Sequence, residues 1–260
     1  MNTVLTIAGS DCSGGAGIQA DLKTFAMHRC YGMSVITSLT AQNTTGVYGI
    51  LDSTEEFVEN QIDCVFNDIL PLATKIGMVS SRGIVQSIYN KLVEYKAENI
   101  VVDPVMVSTS NGNLIKGDAI EELVNKLFKI AAVVTPNISE AEVLSNIKID
   151  NMEDMKKAAI IISKTTLGGV LIKGGHLDGL PNDVLYYNGE FTWYSGKRIN
   201  NPNTHGTGCT LSSAIACNLA EGNSLDESIR LSKDYVEGAI ASGLNLGKGR
   251  GPLDHTYTIK

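Results

Sequence analysis

The chain has 260 residues, 43% hydrophobic and 19% charged, with a formal net charge of −7 and five cysteines. That length buries a full core without staples, the acidic balance argues against a nucleic-acid partner, and an odd cysteine count without a C-x-x-C pair agrees with a reducing compartment and argues against a disulfide framework or a structural zinc site. No apolar run is long enough to span a bilayer and the N-terminus lacks the marks of a signal peptide, so no membrane partner is expected and a cytoplasmic location is.

A strand over 4–8 opens the chain and leads through Gly9-Ser-Asp-Cys-Ser-Gly-Gly-Ala-Gly-Ile-Gln-Ala20 into a helix over 18–28. The glycines, with Ser10, Asp11 and Asp21, read as a cradle for a small ligand. Gly15-Ala-Gly-Ile-Gln-Ala20 mimics the dinucleotide fingerprint G-x-G-x-x-A, but a nicotinamide site also needs an acid at the end of the second strand. That strand, over 34–39, runs into Thr40-Ala-Gln-Asn-Thr44, and no acid follows it before Asp52. No G-x-x-x-x-G-K-[ST] occurs either, which excludes a Walker-type loop.

A helix over 55–66, a strand over 75–78, a helix over 82–95 and a strand over 100–102 follow. The last ends in Val101-Val-Asp103-Pro104-Val-Met106, where the proline holds Asp103 extended at the strand end, suited to a metal-bound water. After a helix over 119–128 and a strand over 132–135 comes Thr135-Pro-Asn137-Ile-Ser-Glu140, a capping-box pattern opening a helix over 139–144. A helix over 152–163 and a strand over 170–172 lead to Lys173-Gly-Gly-His176, where the glycines allow a phosphate to approach the backbone and the ammonium neutralises it.

A hairpin pairs 184–187 with 191–194 across Asn188-Gly-Glu190. Asn203-Thr-His-Gly-Thr-Gly-Cys-Thr-Leu-Ser-Ser-Ala-Ile215 then enters a helix over 209–221, followed by one over 225–244. Gly206 and Gly208 let successive N–H groups converge, and the helix start adds unpaired donors and its positive dipole end, an anion hole. Cys209 falls in the first turn, where that dipole is expected to lower its thiol pKa; the alternative is a loop capped by Thr207 beside an ordinary buried cysteine. His28 and His255 read as surface or terminal residues without chemistry. Strands alternating with helices give an α/β domain over 1–260, its mainly parallel sheet covered by helices on both faces and its ligands beyond the strands' carboxyl ends.

Taken in order, GSDCSGGAGIQADLKTF, TAQNT, KIGM, DPVM, TPNISEAE, KGGH and NTHGTGCTLS resemble the hydroxymethylpyrimidine (phosphate) kinases of thiamin biosynthesis, members of the ribokinase-like superfamily. The resemblance implies a three-layer α/β ribokinase-like fold, ATP and Mg²⁺, and phosphorylation of 4-amino-5-hydroxymethyl-2-methylpyrimidine and then of its monophosphate. It implies substrate contacts at Gly9, Asp21, Gln42, Met78 and Val105. Nucleotide contacts fall at Asp103, Asn137, Glu140, Lys173 and Thr207, with Asp103 and Glu140 toward the metal. Cys209 takes the place of the aspartate base of sugar kinases, and Gly206, Gly208 and Lys173 complete the catalytic set.

A homodimer is the expected assembly. The nearest alternative is a pyridoxal kinase of the same superfamily, or dual activity; those kinases resemble this chain but carry a second cysteine in the flap, where Ser108 stands here. A binding protein on a degenerate kinase fold is disfavoured by intact Asp103, Lys173 and Cys209. Lys248, in Gly247-Lys-Gly-Arg-Gly-Pro252, departs from some members and leaves the adenine environment open.

Overall fold

The computed structural model describes residues 1–106, 117–175 and 182–259; Ser108 and His176 lie outside the described residues. The elements run β1 (Thr3–Asp11), α1 (Gly17–Met27), β2 (Tyr31–Asn43), β3 (Gly46–Asp52), α2 (Glu55–Phe66), β4 (Ala73–Ile76), α3 (Arg82–Glu94) and β5 (Ile100–Val102). They continue with α4 (Gly117–Asn125), α5 (Leu127–Ile130), β6 (Val133–Val134), α6 (Ile138–Ser145), α7 (Met152–Ser163), β7 (Gly169–Ile172), β8 (Asp183–Tyr187), β9 (Glu190–Tyr194), α8 (Thr207–Ala220) and α9 (Leu225–Ala241).

Side chains alternate across a strand, and here the alternation sorts the core into two layers. Leu5, Ile7, Ile100, Val102, Val134, Val170 and Ile172 face a cluster built with α2 to α7. Val4, Val101, Val133 and Leu171 face the opposite cluster, with Phe25 of α1, Ile215 of α8 and Val236 of α9. With apolar residues on both faces, the central strands lack a polar side and are short and Val/Ile-rich, as parallel strands under two helical layers must be. The sheet order is β3-β2-β1-β4-β5-β6-β7-β8-β9. It is parallel from β2 through β7, and antiparallel at both edges, where β3 pairs with β2 and β8 with β7 and β9. Among the described residues no helix is long and apolar enough to cross a membrane.

The edge strand β3 departs from the expected pattern. Tyr48, Ile50 and Leu51 are exposed, so β3 lacks the buried face that gives a strand its period-2 signature. Its pairing extends β2 to Asn43, beyond the expected strand end at residue 39. The expected 119–128 helix is broken at Lys126, between α4 and α5.

Candidate active site

The carboxyl ends of β1, β5, β6 and β7 and the N-terminus of α8 meet on one side of the sheet. At β1 the register shifts between Ala8 and Ser10, which leaves Gly9 at a bulge where a Cβ would stand 2.9 Å from Ser38 Oγ and 3.2 Å from Met78 Sδ. Gly9 and Met78 thus lie close together, both buried, with the Ser38 hydroxyl beside them lacking a partner among the described residues. Beyond the bulge Asp11 shapes the glycine turn by accepting from the backbone of Ser13 (2.9 Å), Gly15 (3.1 Å) and Ala16 (2.9 Å). Burial acts to raise the Asp11 pKa, but His205, Ser13 and Ala16 outweigh it and hold the carboxyl at about 2. Asp11 thus organises the cradle from within.

The second glycine turn packs on the first. Gly206 is the N-cap of α8 with φ +85°, and a Cβ there would collide with the Gly15 carbonyl oxygen, so two constraints require glycine at this one position. The cap has no side-chain hydrogen bond. Thr207 instead donates its hydroxyl to Thr204 O at 2.8 Å, which removes the Thr207 cap of the alternative reading and leaves first-turn N–H groups of α8 for the site. Gly208 faces the charged groups: a Cβ there would stand 3.3 Å from Lys173 Nζ and 3.4 Å from Asp103 Oδ2.

Asp103, 2% exposed, accepts from Lys173 Nζ at 2.8 Å and from Thr135 Oγ1 at 3.3 Å. Asn137 and Glu140 form the expected capping box, with reciprocal bonds of 2.8 and 3.0 Å, and Asn137 is bridged to Lys173 across the sheet. Burial, opposed by Lys173 and reinforced by Asp103, pushes the Glu140 carboxyl up to about 7. Burial acts to lower Lys173, yet Asp103 and Glu140 hold its ammonium above the ordinary range.

The raised Glu140 value carries a stability prediction. A carboxyl with an unfolded value of 4.5 and a folded value of about 7 binds its proton more tightly in the folded chain, so stability falls as pH rises between them. Glu140→Gln, which keeps the capping oxygen, is expected to raise the melting point at pH 8 and to lose that advantage at pH 5. Thermal melts at the two pH values check it.

Two expected site residues sit differently. Cys209 is half-buried and accepts from the Gly17 backbone, but its thiol is not activated by the helix start. Burial pushes it up to about 11, with Asp21 and Asp103 adding to the rise against Lys75 and the Gly17 N–H. Asp21, expected to touch substrate, is 0% exposed. It is enclosed by Lys75 Nζ (2.9 and 3.0 Å), Thr6 Oγ1 (2.6 Å) and Ser213 Oγ (2.7 Å), so it lies beneath the site. Gln42 is half-buried at the end of β2, lining a cavity of about 280 Å³ with Asn43, Thr44, Thr45, His205, Gly249 and Arg250. Val105 is half-buried just past Asp103.

Residues 11–254 match the family model described as phosphomethylpyrimidine kinase. The chain belongs to this family. It is 47% identical over 254 residues to the thiamine biosynthesis bifunctional protein ThiED of Geobacter sulfurreducens, covering 97% of this chain and 52% of that protein, so it spans about half of the longer relative. The crystal structure of phosphomethylpyrimidine kinase from Clostridium difficile 630 is 48% identical, with a TM-score of 0.83 over 92% of this chain and 100% of that one. The pyridoxal kinase of Staphylococcus aureus in complex with AMP-PCP and pyridoxal is 34% identical, with a TM-score of 0.92 over 100% of this chain and 95% of that one. The protein is a kinase with the ribokinase-like fold.

Three residues of this kinase's site region carried no assignment in the sequence. Lys75, 0% exposed, lies in a strand whose neighbours are apolar, and a charge in such a run was the available signal. His205 stands inside the glycine motif. His255, expected at the surface, is 3% exposed and pairs through Nε2 with Thr210 Oγ1 at 2.9 Å, behind the start of α8. Burial, with Lys23 adding, lowers its pKa to about 4, so it is a neutral structural histidine at pH 7.

Proposed function

We propose that this kinase transfers the γ-phosphate of ATP to the hydroxymethyl group of 4-amino-5-hydroxymethyl-2-methylpyrimidine, and then a second phosphate to the resulting monophosphate. The observation that carries the reading is the placement of Gly208, where a Cβ would stand 3.3 Å from Lys173 Nζ and 3.4 Å from Asp103 Oδ2. It sets a turn of backbone donors against a cation and a carboxylate, and phosphoryl transfer asks mainly for positioning and charge neutralisation.

In the first step the acceptor hydroxyl attacks the γ-phosphorus in line as the bond to the departing ADP oxygen breaks, the thiolate form of Cys209 takes the hydroxyl proton, and the N–H groups at the start of α8 hold the transferring oxygens. Lys173 neutralises the nucleotide phosphates, near Asn137 and Thr207. Gln42 presents an amide donor and acceptor to the aminopyrimidine edge, while Met78, Gly9 and Val105 pack on the ring. Asp103 and Glu140 are suited to hold Mg²⁺, which keeps several waters and uses one or two carboxylates together with substrate phosphates. Bound there, the ion would offset the charge of the nucleotide phosphates. The raised Glu140 pKa fits that role, since two buried carboxyls beside each other are relieved by a cation.

The homodimer and cytoplasmic setting belong to the same proposal. Exposed Leu39, Tyr48, Ile50, Leu51 and Phe57 leave apolar side chains uncovered at the β3 edge of the sheet and on α2, and the free thiols suit a reducing compartment.

The division of labour gives a paired prediction: Lys173→Ala weakens ATP binding more than pyrimidine binding, and Gln42→Ala does the reverse. Calorimetric titration of each variant with each ligand measures it, and equal effects on both ligands would refute the assignment. The second reading, a pyridoxal kinase, is favoured by the similarity to the staphylococcal enzyme. An ADP-release panel of hydroxymethylpyrimidine, its phosphate, pyridoxal, pyridoxine and ribose separates the two. Pyridoxal is expected to be poorer by about tenfold or more in kcat/KM, about 1.4 kcal/mol; parity or better for pyridoxal would reverse the order.

A further inference from the structure

His205 takes no part in the steps above, yet three other segments of the site meet at its ring and backbone. Its N–H donates to Gly251 O at 3.1 Å, and its ring edge lies on Gly15, where a Cβ would collide with Cδ2. Its Nε2 stands 3.0 Å from Asp11 Oδ2 and 3.2 Å from Gln42 Nε2. At the other end of the Gln42 carboxamide, Oε1 is 3.2 Å from Thr40 Oγ1, which also lies 2.9 Å from Ser10 O. The imidazole is 5% exposed, so unsatisfied contacts here are costly.

A single Nε2 cannot serve both neighbours as they stand. Unprotonated, it would accept from the Gln42 amide but set its lone pair against a carboxylate oxygen at 3.0 Å with no proton between them. Protonated, it donates to Asp11 in a charge-assisted bond, the stronger of the two choices, and then confronts an amide N–H, donor to donor. Turning the carboxamide over removes that conflict, because its oxygen and nitrogen ends have nearly the same shape. The oxygen then becomes a second acceptor of the His205 Nε2–H, sharing it with Asp11 Oδ2 in a three-centre bond. The NH₂ donates to Thr40 Oγ1, whose own proton goes to Ser10 O. Each donor now meets an acceptor.

We infer that His205 is a positioning residue for specificity: anchored on Asp11, its Nε2–H locks the Gln42 carboxamide in one orientation and so sets which heteroaromatic edge the site reads. This rests on the proposal that Gln42 pairs with the acceptor ring. A 4-aminopyrimidine offers an amine donor beside a ring-nitrogen acceptor, and a 4-oxopyrimidine offers an oxygen acceptor beside a ring N–H. A carboxamide fixed one way separates the two, whereas one free to turn over serves both.

The test assays the 4-amino acceptor and its 4-oxo counterpart on wild type, His205→Met and His205→Gln, the last returning an N–H donor of similar reach. Wild type should prefer the amino compound. His205→Met should cut that preference by about tenfold or more, the scale of one misplaced buried hydrogen bond. The loss should fall on the acceptor KM, leave the KM for ATP within about twofold, and be partly restored by His205→Gln. Equal losses on both acceptors, or KM values for acceptor and ATP rising together, would mark a merely structural residue and overturn the inference. Nitrogen NMR of the free protein with ¹⁵N-labelled histidine, His205 assigned by its loss in His205→Gln, reads the proton without any acceptor. A protonated Nε2 is expected, and a bare one overturns the inference. A protonated Nε2 in a protein inactive on both pyrimidines would refute the acceptor reading and the specificity role with it, while the proton assignment would stand.

Discussion

Cys209→Ala should lower kcat for phosphorylation of the alcohol by about 10²- to 10⁴-fold, the usual loss of a general base, and leave phosphorylation of the monophosphate within about tenfold of wild type. The asymmetry follows from the two nucleophiles. A hydroxymethyl group holds its proton until the transition state, whereas a phosphate monoester with a second pKa near about 6 is already an anion at neutral pH. Burial that pushes the thiol up to about 11 adds a sign to the pH dependence. The thiolate fraction of the free enzyme grows about tenfold per pH unit below that value, so kcat/KM for the first step should rise through pH 7 to 9. Cys209→Asp, already ionised there, should give a flatter profile and recover more activity than Cys209→Ala. Stopped-time product analysis with each acceptor measures these effects. Near-normal first-step turnover in Cys209→Ala, or equal losses in both steps, would remove the base from this position.

Asp21→Ala is expected to act on stability. Removing this carboxylate strands the Lys75 ammonium, which is 0% exposed, without its partner. Burial alone would lower the Lys75 pKa, and Asp21, helped by Cys209 and Asp103, holds it above the ordinary range. Breaking a buried pair from one side costs about 3–5 kcal/mol, which for a chain of this size lowers the melting point by about 6–20 °C. Removing both charges with Asp21→Ala and Lys75→Met should recover part of the loss, since the desolvated charge then goes too. Differential scanning calorimetry of the single and double variants decides it. A direct substrate contact would instead raise the acceptor KM with an unchanged melting point.

What the sequence made legible follows how strongly each feature depends on local pattern. Strands β5 to β7 stood out because they are short, apolar and bounded by turns, and the Asn137–Glu140 capping box because its two residues answer each other three positions apart. β3 did not, because its exposed Tyr48 and Leu51 carry no buried period. The anion turn was legible from glycine placement, but the Cys209 environment was not. A helix start predicts a lowered thiol pKa, and that effect is overruled by burial and by two carboxylates that only the tertiary fold brings near. Asp21 was misplaced for a related reason. Its position in a glycine-rich motif suggests a ligand, while its partners Lys75 and Ser213 lie 54 and 192 residues away. His205 was hidden by its motif, whose glycines explain the turn without it.

The most direct test of the central claim is phosphorus NMR of the protein incubated with excess ATP, Mg²⁺ and 4-amino-5-hydroxymethyl-2-methylpyrimidine. The account predicts a monophosphate ester that forms first and then gives way to a pyrophosphate ester, with one ADP released at each step. ATP left intact, or a monophosphate that accumulates without further conversion, would contradict it.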